Sequence, residues 1–317
     1  HSILLFSDGV SLVSAEFLHR KRLMMRTGPL LGTIFLFLIG LGILGNSLLV
    51  LPILIFFTGQ RLSPIHVVIA QIALGNLMFL LFRGIPLLVQ NWGKKYFLYD
   101  VGCKIVFYLQ RVGRGMSICS TCLLSGCQAI IVSSLAAKWA HLKQNALKYS
   151  VICSFLCWVI NTFIYVFILT DINEPKKQFN ITSGIELGYC YWASVLDYPS
   201  IICTVQDVIF MVLVILSCGY MLHFLWRHHQ QVRYIHSTSL CPNTNPEIRA
   251  IKRILLLVIT FVSFYSVNCC LRLYITYIAP FSVWILDTSA IMAVVFPTIS
   301  PFLLMANGRQ ILKCAVL

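Results

Sequence analysis

Cys119, Cys122 and Cys127 crowd three thiols into nine residues. That density raises metal ligation or thiol redox chemistry. Cys119-x-x-Cys122 has redox-pair spacing, but such a pair needs a βαβ setting, and none surrounds it. Zinc would need ligands about 2.3 Å from sulfur. The segment reads as one helix, so Cys119 and Cys127 stand about 12 Å apart along it at about 1.5 Å per residue. No histidine lies nearby to complete a site. The three cysteines therefore read as small apolar packing residues, and neither a metal nor a cofactor is expected.

Ionisable residues are the second chemical signal. Arg111 and Arg114 are three apart and share a helix face. Asp207 and Asp287 are the acids within apolar stretches, and Arg83 and Arg272 are further cations there. Such residues are costly in lipid and mark functional sites by default. Two readings stay open for the arginines: lining of a water-accessible cavity, or structural pairing with the acids. Asn46 and Asn76 read first as interhelical hydrogen-bonding residues. Pro297 removes a backbone donor from its helix, as either a switch element or a plain bend. No H-E-x-x-H or G-x-S-x-G motif occurs and no acid–base constellation gathers in a loop, so the chain does not read as an enzyme.

The elements that must position these residues are membrane helices. Of 317 residues, 59% are hydrophobic and 11% charged, whereas soluble domains carry about 25% charged residues. Seven apolar segments reach the roughly 20 residues a span needs: about 29–57, 65–89, 101–126 (helical to about 134), 149–170, 199–225, 251–278 and 283–306. The third is weakest, because it carries Arg111 and Arg114. The expected class is an all-α membrane protein, a seven-transmembrane-helix bundle with its N-terminus outside and its C-terminus cytoplasmic. Residues 1–28 form an N-terminal segment, 29–306 the transmembrane domain and 307–317 a short cytoplasmic tail. Within the first segment, residues 1–23 are set aside, with Met24 or Met25 as alternative starts.

Charge supports that orientation. The inner side would hold Arg61, Lys138, Lys143, Lys148, Arg227, Arg233, Arg249, Lys252, Arg253, Arg309 and Lys313 against Glu247, eleven bases to one acid. From residue 27 on, the outer side would hold five of each. The +14 net charge thus follows the positive-inside rule and does not indicate nucleic acid. The sequon Asn180-Ile181-Thr182 falls outside, where glycosylation occurs, as do Cys103 and Cys190. No internal repeat of the kind transporters carry is present.

Several motifs resemble vomeronasal type 1 receptors. One is Arg111-Val112-x-Arg114-Gly115-x-Ser117-Ile118-Cys119, followed by Thr121-Cys122-Leu123-Leu124-Ser125 and Gln128-Ala129-Ile130. Others are Ser217-x-Gly219-Tyr220-Met221, Arg227-His228-x-Gln230-Gln231-Val232 and Phe296-Pro297-Thr298-x-Ser300-Pro301-Phe302. The resemblance covers about residues 29–306. It implies a plasma-membrane, G-protein-coupled chemoreceptor of vomeronasal sensory neurons. Its ligand would be a small volatile or steroid-like pheromone, and its partner an inhibitory-type G protein.

The resemblance also implies a Cys103–Cys190 disulfide pinning the outer loop over the bundle. Cavity candidates are Gln110, Arg111, Arg114, Asp207 and Tyr265; Gln128, Lys143, His228 and Arg253 would face the G protein, with Pro297 as a switch. Cys127-Gln128-Ala129 replaces the wider superfamily's D-R-Y, and Phe296-Pro297-Thr298-Ile299-Ser300 replaces N-P-x-x-Y. Gln71 and Gly75 stand where the family leads one to expect histidine and alanine. A bitter-taste-like chemoreceptor is the nearest alternative, and a small-molecule transporter a more distant one.

Overall fold

The computed structural model describes residues 30–51, 64–94, 97–133, 145–166, 169, 172–173, 185–186, 190–192, 198–235, 246–277 and 283–314. The helices are α1 (Leu30–Leu51), α2 (Pro64–Phe79), α3 (Ile85–Asn91), α4 (Asp100–Ser133), α5 (Ala146–Val166), α6 (Tyr198–Ile235), α7 (Pro246–Tyr277) and α8 (Val283–Cys314). A π-helical turn, Leu80–Gly84, joins α2 to α3. It lies where Pro86 has no amide to offer the carbonyl four residues back. Those three pieces act as one rod, so the described helices form seven rods. Lipid forces this outcome, since every backbone polar group must find its partner within the chain.

Among the described residues, five helices are long and apolar enough to cross a bilayer: Leu30–Leu51, Ile65–Asn91, Lys148–Val166, Val205–His223 and Ile285–Met305. The sixth rod, α7, contributes the shorter apolar stretch Leu255–Leu271. The third, α4, differs in kind. It packs against α2, α5, α6 and α7, and every residue from Gln110 to Thr121 is buried. Over that stretch it has no lipid-facing side, so polar residues there meet protein instead of hydrocarbon.

The crossing of α2 and α4 is close because glycine sits on both. A Cβ added at Gly75 would lie 2.9 Å from the Gly113 carbonyl oxygen and from the Ser117 amide nitrogen. One added at Gly113 would lie 2.8 Å from the Phe79 amide nitrogen. Small residues that let membrane helices approach are a main source of their packing. The alanine expected at position 75 does not fit this crossing without a shift of backbone.

Two apolar clusters fill the bundle. One, at the Cys103 end, includes Phe35, Phe107 and Tyr165. The other includes Val68, Ile72, Val214, Leu257 and Leu304. Leucine, phenylalanine and valine on the outer faces, such as Phe37, Phe155, Phe163 and Leu216, remain exposed, as lipid-facing positions require.

Two features go beyond the helical reading. The 171–198 loop holds three short strands, β1 (Ile172–Asn173), β2 (Ile185–Glu186) and β3 (Tyr191–Trp192). They form an antiparallel sheet in the order β1-β3-β2, with Trp192 opposite Ile172 on one side and Ile185 on the other. Second, α6 and α8 continue past the expected span ends, to Ile235 and Cys314. Polar residues such as Arg227, Gln230, Gln231 and Arg233 end the apolar pattern without ending the backbone hydrogen bonding.

Candidate ligand-binding site

Arg114 stands in the buried run of α4 and joins three helices. Its Nη2 donates to Asp207 Oδ2 on α6 at 3.2 Å and to the Tyr265 hydroxyl on α7 at 2.6 Å. The guanidinium carbon lies 4.7 Å from the Tyr265 ring centroid. The Arg114 and Asp207 side chains are 8% and 9% exposed. Such a pair contributes little net stability, but removing one partner strands a buried charge at about 3–5 kcal/mol. Arg114 Nε and Nη1 and Asp207 Oδ1 have no hydrogen-bond partner among the described residues.

Arg114 lines a narrow, half-open crevice of about 40 Å³. Aromatic residues make much of its wall. Phe261 stacks on Tyr265 at 5.5 Å between centroids and meets Phe296 edge-on at 4.8 Å. Asn268, Met292 and Pro297 also line it, and Ser289 on α8 donates to Asn268 Oδ1 at 3.2 Å. An apolar wall with a few placed polar groups is the usual character of a small-molecule site.

Asn76 and Ser117 line the same crevice and belong to a buried polar core. Asn46 Nδ2 donates to the Gly42 and Pro297 carbonyls at 2.7 and 2.9 Å. Asn76 Nδ2 donates to Asn46 Oδ1 at 3.2 Å and to Ser300 Oγ at 2.9 Å. Ser117 Oγ donates to Asn76 Oδ1 at 2.7 Å. This network ties α1, α2, α4 and α8, and it bears out the reading of both asparagines as packing residues. It also answers a backbone problem. Pro301 has no amide to bond the Pro297 carbonyl four residues back, and Asn46 takes that place.

A second buried bridge lies beyond the residues singled out from the sequence. Gln206 Nε2 on α6 donates to Asn161 Oδ1 on α5 at 2.9 Å. Asn161 Nδ2 donates to the Cys157 carbonyl at 2.7 Å and approaches Cys119 Sγ at 3.4 Å. Gly115 makes room for it, since a Cβ there would collide with Asn161 Oδ1. The general cost of polar groups in hydrocarbon is the available signal for Asn161, Gln206 and Asn268.

The structure brings Arg114, Asp207 and Tyr265 together. Gln110 and Arg111 are buried on α4, but neither is among the residues lining the crevice. Cys103 and Cys190 form a disulfide with 5.8 Å between Cα atoms. Because Cys190 directly precedes β3, the bond ties the small sheet to the first turn of α4. Pro297 sits in the middle of α8, where it helps form the crevice, and Gln128 is buried toward the far end of α4. Cys119 is buried and Cys127 lies 3.7 Å from Ser150 Oγ; among the described residues no metal-ligating cluster occurs. His228 and Arg253 lie on α6 and α7, but their side chains fall outside the described set, as do Lys143 and Asn180 entirely.

Comparison with known proteins gives a consistent result. The pattern of the "Vomeronasal organ pheromone receptor family" matches residues 30–316. Vomeronasal type-1 receptor 1 of Gorilla gorilla gorilla is 36% identical over 284 residues, covering 88% of this chain and 80% of the relative. Vomeronasal type-1 receptor 4 of Homo sapiens is 36% identical over 284 residues, covering 86% and 92%. Olfactory receptor class A-like protein 1 of Danio rerio is 29% identical over 286 residues, covering 88% and 90%. Among solved structures, squid rhodopsin superposes with a TM-score of 0.64 at 14% identity, covering 86% of this chain and 75% of its own. That likeness concerns the fold alone.

Proposed function

This chain belongs to the vomeronasal organ pheromone receptor family, and from that premise we propose that it detects small volatile or steroid-like pheromones in the Arg114 crevice and activates an inhibitory-type G protein. The family and the receptor fold make it a multi-pass chemosensory receptor and not an enzyme. The ligand and the G-protein class are the proposed part.

One observation carries the reading. Arg114 lines the crevice and is bonded to both α6 and α7. A ligand touching Arg114 therefore acts on the contacts that set the relative positions of three helices. Only a differential affinity for two helix arrangements can produce a signal, and this contact supplies a place for one. In this reading residues 29–306 form the receptor domain, the N-terminus and the glycosylated Asn180 are outside, and the C-terminus is cytoplasmic. Gln128, Lys143, His228 and Arg253 face the G protein, Pro297 serves as a switch, and the receptor works at the plasma membrane of vomeronasal sensory neurons.

The test is expression of the full chain with a G-protein activation reporter and a panel of volatile and steroid compounds. The expected result is a response that Arg114→Ala abolishes and Arg111→Ala weakens less. Activation unchanged in Arg114→Ala contradicts the crevice assignment. Activation that persists in cells lacking inhibitory-type G proteins contradicts the coupling.

A further inference from the structure

We infer that the ligand group meeting Arg114 is a neutral hydrogen-bond acceptor, such as a carbonyl oxygen, and that this crevice selects against anions. The inference rests on the crevice being the ligand site, as proposed above. It follows from a donor count and a charge count at one side chain.

The donor count comes first. Arg114 Nε and Nη1 are buried with no acceptor among the described residues, although the side chain lines the crevice and is only 8% exposed. A buried charged donor without a partner is costly. The arginine therefore carries unsatisfied N–H groups at the wall of the crevice.

The charge count decides which oxygen. Asp207 Oδ2 already stands 3.2 Å from Arg114 Nη2, so the pair is neutral before a ligand arrives. Among the described lining residues, Arg114 is the only charged side chain; Asn76, Ser117, Tyr265 and Asn268 are neutral polar groups. A carboxylate or sulfate would bring an excess negative charge into a largely apolar crevice, against an arginine already paired with Asp207, where unpaired charge is strongly disfavoured. A carbonyl takes the same N–H groups and adds no net charge. Phe264 and Met292 on the wall suit an apolar body behind that oxygen.

The test uses the purified full chain in lipid nanodiscs. Its affinity is read from thermal unfolding against probe concentration. The probes are the methyl ketone, the alkane and the carboxylate of the same linear and terpenoid skeletons, at neutral pH. The expected order is ketone over alkane by roughly tenfold to a hundredfold, the range for a hydrogen bond to a charged donor, with the carboxylate weaker than the ketone. Asp207→Asn leaves the arginine charge unbalanced and is expected to reverse the ketone–carboxylate order. If that variant fails to fold, the wild-type order alone decides. A carboxylate that binds wild type better than its ketone overturns the inference, as does a series in which no head group alters stability. A ketone that binds without firing the G-protein reporter leaves the inference standing and refutes the signalling reading instead.

Discussion

Asn46 on α1 hydrogen-bonds the Pro297 carbonyl on α8 across 2.9 Å. The amide that would normally take that carbonyl is missing because residue 301 is proline. A side chain 251 positions away in sequence thus completes the backbone of another helix. Asn46→Ala is expected to destabilise the receptor by about 0.5–2 kcal/mol, the range for interhelical hydrogen bonds in bilayers. In a Pro301→Ala background the helix supplies its own amide, so the same substitution is expected to cost less. Thermal unfolding of the four proteins in nanodiscs measures the coupling; strictly additive effects would mean that Asn46 does not serve this carbonyl.

The glycine crossing of α2 and α4 makes a prediction in the opposite direction to the family pattern. Gly75→Ala introduces a Cβ 2.9 Å from the Gly113 carbonyl oxygen. Overpacking of this kind costs about 1–3 kcal/mol. Lower surface expression and a lower unfolding temperature are expected, whereas Gly126→Ala, where no atom lies within 4 Å of the added Cβ, is expected to be neutral. Equal effects at the two sites would show that the helices are not in contact at Gly75.

At the bridge between α5 and α6, Gly115→Ala is expected to lower stability because its methyl collides with the Asn161 amide. Asn161→Ser shortens the obstructing side chain. The double variant Gly115→Ala with Asn161→Ser is therefore expected to recover part of the loss. Unfolding temperatures that simply add would place Asn161 elsewhere.

The Cys103–Cys190 disulfide anchors the sheet beside α4. Cys103→Ser and Cys190→Ser are each expected to impair the response to an activating compound, and the double variant to be no worse than either alone. Concentration–response curves for the three variants check this. A double variant much weaker than both singles would mean that the two cysteines act separately.

The helical architecture was legible in the sequence because lipid leaves the backbone few options. Even the arginine-bearing third rod could be placed, through the sequon and the charge bias around it. Arg114 and Arg111 could not be told apart, because residues three apart share a face and both are buried. Only the approach of α6 and α7 singles out Arg114. Asn161 and Gln206 lay beyond reach for a similar reason. They are 45 positions apart in sequence, and the space they share depends on the missing side chain of Gly115 on a third helix. The short strands carried no legible period, since two residues are too few to show alternation.

The stretch from Gln110 to Thr121 that touches protein on every side has a consequence for biogenesis. Placed alone at the bilayer centre, each of its two arginines would oppose insertion by about 2.5–3.5 kcal/mol. No comparable apolar surplus compensates within α4, which is absent from the helices apolar enough to cross unaided. Its entry into the membrane therefore depends on companions. Segments translated before and after it must be at hand to shelter Arg111 and Arg114, and a receptor truncated after α4 is expected to leave that segment poorly inserted while α1 and the α2–α3 rod remain in place.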